Sequence, residues 1–221
     1  MRQTIQQTIQ QTRRHTSLGL LLCLATGCAN QPANTASATP PIIDEQLLAA
    51  PPTGWQIVDQ LNNTRTRLVD YIPAEQTPDN WQTRLSFESH AALTDLDPIE
   101  TLLREVEKTR EKCSDLKDYN LFSGLENNYR TSTRLMLCGN NAFTQRGEIS
   151  MLKVIQGNDY FYFVRLVKRL STFDNGTANI EGIEESEIAV WSTYLSNIRV
   201  CDPRLTAHPC YTTHRKATGL N

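Results

Sequence analysis

The pair Gly157-Asn158, set between two long strand-like runs, Glu148 to Gln156 and Asp159 to Leu170, constrains this chain more than any other stretch. Such a pair is a strong hairpin signal, so the flanking runs are expected to lie antiparallel. The second run carries Tyr160-Phe161-Tyr162-Phe163-Val164, apolar at consecutive positions rather than alternating. A strand dry on both faces belongs in the middle of a sheet that is covered on each side.

The same pattern recurs around that centre. Asn62-Asn63 separates Trp55 to Leu61 from Arg67 to Ile72, and Asn127-Asn128 separates Tyr119 to Leu125 from Tyr129 to Cys138. Both read as hairpins. Thr83 to His90 alternates Leu85 and Phe87 with Arg84, Ser86 and Glu88, a strand with one wet face, while Asn140 to Gly147 reads as a polar loop. Thr77-Pro78-Asp79-Asn80-Trp81 suggests a short helical turn. Asp97-Pro98-Ile99-Glu100 starts a helix, with Ile99, Leu102, Leu103, Val106 and Cys113 on its apolar face. A second helix places Ile183, Ile188, Trp191, Leu195 and Ile198 at helical spacing, and Glu181, Glu184, Glu185 and Glu187 crowd its start, where the helix dipole favours negative charge. It covers the sheet's other face or extends the first layer. The expectation for residues 54–200 is an α+β domain, an antiparallel sheet of about six to seven strands packed by two main helices.

Upstream, Arg2, Arg13 and Arg14 precede an apolar run from Leu18 to Ala25. That run is far below the ~20 residues of a membrane span and reads as a secretory signal. Gly27-Cys28 resembles the bacterial lipobox, although Leu24 sits one place early and Ala25 stands where leucine is commonest. The resemblance implies cleavage after residue 27, a diacylglycerol on the Cys28 thiol and a palmitate-like acyl group on the new N-terminus. More than one acyl chain gives stable anchoring. An ordinary secreted protein cut elsewhere is the alternative. His15-Thr16-Ser17 lack the apolar pair expected after a twin-arginine motif, which favours general export. Ala29 and Asn30 carry none of the aspartate that favours the inner membrane, so the resemblance implies the outer membrane, with the chain facing the periplasm. Residues 28–53, rich in proline and small polar residues, read as a flexible tether, in which Ile42, Ile43, Leu47 and Leu48 form either a docking helix or solvated linker.

With 22 basic and 24 acidic residues the chain carries −2, and loss of the three signal arginines takes it to −5. A mildly acidic chain has no general drive toward nucleic acid or anionic lipid. Besides Cys23 and Cys28, four cysteines remain: Cys113, Cys138, Cys201 and Cys210. An even number in an oxidising compartment reads as disulfides. Three pairings are open, and closeness in sequence favours Cys113 with Cys138 and Cys201 with Cys210. The second ties down a C-terminal tail, residues 201–221.

No motif points to a catalytic residue, a cofactor or a metal. Cys201, His208, Cys210 and His214 lack finger spacing, and oxidation competes for the sulfurs. His90 ends a half-wet strand and reads as solvated. Asp174-Asn175-Gly176 lacks the spaced ligands of a calcium loop and reads as a turn. Arg165, Lys168 and Arg169 form either an anion patch or a solvated strand end.

The order of these elements, with Tyr71-Ile72-Pro73-Ala74-Glu75-Gln76-Thr77-Pro78-Asp79-Asn80-Trp81 in the first third, resembles the PsbP-like α/β group and envelope lipoproteins of that shape. Members of that group act as photosystem accessory subunits, small-GTPase binders and envelope proteins, so the resemblance implies a fold and no reaction. The expected role is a membrane-anchored periplasmic interaction or accessory module of an envelope or secretion complex. It is held by the lipid on Cys28 and meets an envelope protein partner. A small-ligand carrier and an enzyme without a recognisable motif are the alternatives.

Overall fold

Nine strands, two α-helices and a single 3-10 turn at Ala91–Leu93 make up the regular structure of the described residues in the computed structural model, residues 44–176 and 180–210. The chain divides at Pro40, and every described residue belongs to the second unit, Pro41–Asn221. Cys28, the signal segment and residues 29–43 of the expected tether lie outside the described residues.

The strands are β1 (Gln46–Leu48), β2 (Trp55–Asn62), β3 (Thr66–Pro73), β4 (Thr83–His90), β5 (Leu116–Glu126), β6 (Tyr129–Asn141), β7 (Arg146–Gln156), β8 (Phe161–Leu170) and β9 (Arg199–Cys201); the helices are α1 (Pro98–Arg110) and α2 (Glu185–Asn197). Seven strands form one antiparallel sheet in the order β2-β3-β4-β8-β7-β6-β5. The expected α+β class holds. So does the central place of the Tyr160–Val164 run, because β8 is the fourth of the seven strands.

Side chains on this sheet alternate between two dry layers. Leu135, Ile149, Met151, Val164 and Leu166 pack with Trp191 and Leu195 of α2. Their neighbours Met136, Leu152, Val154 and Phe161 pack with Leu102 and Val106 of α1. The period of two therefore settles the question left open for α2, which covers the face opposite α1. Asp97 caps α1 by accepting the Glu100 amide at 3.0 Å. The helix presents Pro98, Thr101, Leu102 and Val106 to the sheet, whereas Ile99 and Leu103 are 42% and 40% exposed. The apolar stripe was expected to include those two; they form a neighbouring i, i+4 row that rolls onto the shoulder once Leu102 and Val106 are seated.

Four other expectations change. Residues 142–145 alone separate β6 from β7, because Asn141 pairs with Arg146 and its carbonyl accepts the Gln145 amide, so the loop expected from Asn140 to Gly147 is mostly strand. Residues 77–80 make a turn closed by the Asn80 amide on the Thr77 carbonyl at 3.0 Å, with no helix. The tether, expected to reach residue 53, is structured from Glu45 onward, since β1 pairs with β9 and Leu47 packs against the core. The tail expected from residue 201 begins inside the fold: Asp202 is fully buried, and the Asn127 and Asn128 side chains donate to the Val200, Pro209 and Ala207 carbonyls.

Asn127 and Asn128 have φ of 48° and 64°, the pair of positive angles of a tight hairpin turn. Gly157 is different. It shows no positive φ, and a side chain there would meet the Glu45 carboxylate at 2.2 Å and the Tyr160 carbonyl at 2.6 Å. The hairpin signal was sound, but the glycine serves close approach rather than backbone handedness.

Candidate functional site

Two disulfides fasten the margins of the domain. Cys113, just past α1, is bonded to Cys138 of β6, with Cα atoms 5.7 Å apart, and Cys201 of β9 to Cys210, at 5.0 Å. Closing a loop of the first size contributes roughly 3 kcal/mol in the chain-entropy picture. The second pair engages both sulfurs of the Cys201–His208–Cys210–His214 set, and His208 instead stacks on Tyr129 at 4.0 Å with Nδ1 2.9 Å from the Asn127 carbonyl. His214 lies outside the described residues.

Buried charges are the next place to look for chemistry. Glu45 accepts amides of Asn158 (2.6 Å), Asp159 and Tyr160 (both 3.3 Å) and the Tyr162 hydroxyl (3.1 Å). Lys153, fully buried, donates to the Leu195 and Ile198 carbonyls at 2.8 and 2.7 Å and pairs with Glu126 at 2.5 Å. The first locks β1 to the β7–β8 turn and the second caps the C-terminus of α2, where a cation is favoured. Both charges find their counter-groups within the domain. His90 lies between Glu88 and Thr66, at 3.2 and 3.3 Å, on the edge of the Phe163 ring. Asp174-Asn175-Gly176 makes a turn pinned to β5 and β6 through Asn175, whose amide and side chain bond Asp115 and Leu137.

One half of the α1 face is different. On the β8 side of α1, Glu105 meets Arg165 of β8 at 2.8 Å. Beyond it lies a groove of about 410 Å³, floored by β3, β4 and β8 and walled by Trp81 and the β6–β7 turn. Trp81 is placed by the turn before β4. The Gln76 carboxamide oxygen accepts the Gln82 and Thr83 amides at 2.6 and 3.1 Å, which folds the indole down against Ile72 and Val167. Over that indole stand two guanidinium groups, Arg169 at 3.5 Å from the ring centroid and Arg84 at 4.4 Å. Strand alternation puts both on this face: Arg84 faces Val167 across β4 and β8, and Arg169 follows two residues on.

These cations are poorly matched by acceptors. Arg84 comes no nearer than 3.6 Å to Asp70, and Arg169 no nearer than 3.7 Å to Glu148. Glu148 is occupied, its two oxygens accepting from Thr144 and Asn141 at 3.0 and 2.9 Å. The Nε atoms of Arg84 and Arg169 and Oδ1 of Asp70 are buried with no hydrogen-bond partner among the described residues. Burial, with Arg84 and Arg146 nearby, pushes the Arg169 guanidinium below its ordinary range, and Glu148 opposes this. In a second cleft of about 400 Å³ beside Tyr129 and His208 the Tyr129 hydroxyl is buried without a hydrogen-bond partner among the described residues, but the cations are engaged, because Arg130 pairs with Asp97 and His208 is held by Asn127.

The structure divides the suspected patch of Arg165, Lys168 and Arg169. The first and last share the groove face, while Lys168 points to the α2 side and meets Glu187 at 2.7 Å. Trp81 and Arg84 were missing from that patch. The signal for Arg84 was present in its place on the wet face of β4, but the turn that lays Trp81 over it is a tertiary event.

No protein-family model matches the chain, and no curated protein matches it. Several solved chains are similar to it, among them the following two. LpqN of Mycobacterium tuberculosis, described as involved in cell envelope biogenesis, has 8% identity and a TM-score of 0.39 over 74% of this chain and 87% of its own. The cyanobacterial PsbP of Synechocystis has 14% identity and a TM-score of 0.39 over 72% of this chain and 94% of its own.

Proposed function

We propose that this chain is a lipoprotein of the bacterial envelope, anchored through Cys28, and that its domain is a binding module in an accessory role, recognising its partner through the Trp81–Arg84–Arg169 groove. The observation that carries the reading is the mismatch in that groove. Two stacked guanidinium groups sit on a rigid sheet with no acceptor at hydrogen-bond distance among the described residues. Unpaired donors of this kind are a cost to folding that a bound partner removes. Two disulfides suit an oxidising compartment, and the lipobox-like Gly27-Cys28 supplies the anchor. Ala29 and Asn30 favour the outer membrane, with the domain facing the periplasm.

A carrier of a small ligand is a second reading, favoured by a groove volume within the range of ligand pockets. The groove's setting on a sheet face left uncovered by the described residues, rather than between sheet and helix, suits a partner better.

Two measurements test the proposal. Cys28→Ser is expected to abolish labelling by a fatty-acid probe and to release the protein from membranes; unchanged labelling refutes the anchor. Affinity purification from crosslinked membranes is expected to return a reproducible envelope protein with the wild-type chain and to lose it with Arg169→Met. Recovery of the same partner with both chains refutes the role of the groove.

A further inference from the structure

The groove's chemistry narrows what enters it. We infer that Arg84 and Arg169 form a binding site for an oxyanion, a carboxylate or phosphate group, seated beside Trp81. The inference deepens the reading of the groove as a recognition surface and rests on it.

Each guanidinium carries five N–H donors in a planar fork, a geometry matched to carboxylate and phosphate oxygens. Stacking on an indole fixes the plane of the fork without occupying its N–H edge. The Arg169 guanidinium makes no hydrogen bond among the described residues; its contacts are the Trp81 ring and the 3.7 Å approach of Glu148. Arg84 is held in the same way by Trp81 and by Asp70 at 3.6 Å. Both remain reachable, with 35% of the Arg84 side chain and 25% of the Arg169 side chain exposed. The two cations are close enough to repel each other, and an oxyanion within reach of either fork relieves that repulsion while supplying missing acceptors.

The carboxylates in the groove do not serve as that anion. Glu148 is held by Asn141 and Thr144, and Glu88 is engaged with His90 at 3.2 Å. Asp70, 8% exposed, is tied to its strand and leaves one oxygen unpartnered. That oxygen asks for a donor, so the anion's carrier is expected to bring a hydroxyl or amine beside the charged group. Arg165 does not join the pair, because Glu105 takes it at 2.8 Å. The site is thus two arginines, one indole and one acidic neighbour, within a groove large enough for a small ligand group.

The test is titration of the full chain, solubilised from membranes and labelled with ¹⁵N-arginine, with inorganic phosphate and separately with acetate at fixed ionic strength. Saturable shifts of the Arg84 and Arg169 Nε–H signals are expected with at least one anion. Saturation by phosphate alone marks a tetrahedral group and by acetate alone a planar one; either upholds the site. Arg84→Met and Arg169→Met are each expected to weaken binding by roughly tenfold or more. Arg110→Met, in an ion pair with Glu107 on α1, should leave it unchanged. Arg169→Lys keeps the charge and loses the fork, so it should also weaken binding, and it serves if the methionine variant fails to fold. Linear shifts shared by all surface arginines, or full affinity in Arg169→Met and Arg169→Lys, overturn the inference. Saturable titration without a crosslinked partner would refute the accessory role and leave the oxyanion site standing, and the converse result would do the reverse.

Discussion

Burying Lys153 costs desolvation, which pushes its ammonium below the ordinary lysine range, and Glu126 opposes that shift. Removing one member of such a pair strands the other. Glu126→Gln is expected to cost roughly 2–4 kcal/mol, at the lower side of the usual range because Glu126 is partly exposed. The Glu126→Gln/Lys153→Met double variant should cost less than the sum of the singles in urea unfolding, and strict additivity would contradict the coupling. Three tyrosines set the alkaline limit. Burial pushes the Tyr129, Tyr162 and Tyr194 phenols up, and Glu45 adds to the first two. Because the folded values are raised, their contribution is whole below about pH 10, where unfolded tyrosine begins to ionise, and is lost as pH climbs above it. Tyr162→Phe should flatten the loss of stability measured between about pH 9 and pH 11. An unchanged slope would contradict the assignment. At this scale the sequence is a partial guide. Lys153 interrupts the apolar run from Met151 to Ile155, and only the arrival of the α2 carbonyls and Glu126 explains why a lysine is buried there.

β1 shows how a three-residue element escapes sequence reasoning. Gln46–Leu48 follows a proline-rich stretch, has no alternation long enough to read, and is ordered by partners more than a hundred residues away, β9 and the 158–160 amides. A fragment starting at residue 54, the boundary the sequence suggested, loses Glu45 and uncovers Val200 and Tyr162. It should melt well below a fragment starting at residue 44, and Glu45→Ala alone should cost roughly 3–5 kcal/mol by leaving several donors unpaired. Equal melting temperatures would show that β1 adds nothing. The longer elements were legible because their signals are local. Asp97-Pro98 starts α1, the Asn127-Asn128 turn closes β5 on β6, and the doubly dry β8 had to be central.

At the scale of the domain, helices pack on both sheet faces, but among the described residues α1 does not cover its face fully, and the groove is what remains. The sequence revealed the sheet, the two helices and the arginines at the end of β8. It did not reveal that Arg84 and Trp81 would join them, since that depends on strand order and on Gln76 holding the turn before β4. The central claim is that this uncovered half-face meets the partner. A photocrosslinking residue at Thr144, on the groove wall, tests it in intact cells against the same residue at Gln60, exposed on β2. The account predicts a reproducible protein adduct from position 144 that disappears with Arg169→Met, and none from position 60. Adducts from position 60 alone, or an adduct at 144 that survives Arg169→Met, would contradict it.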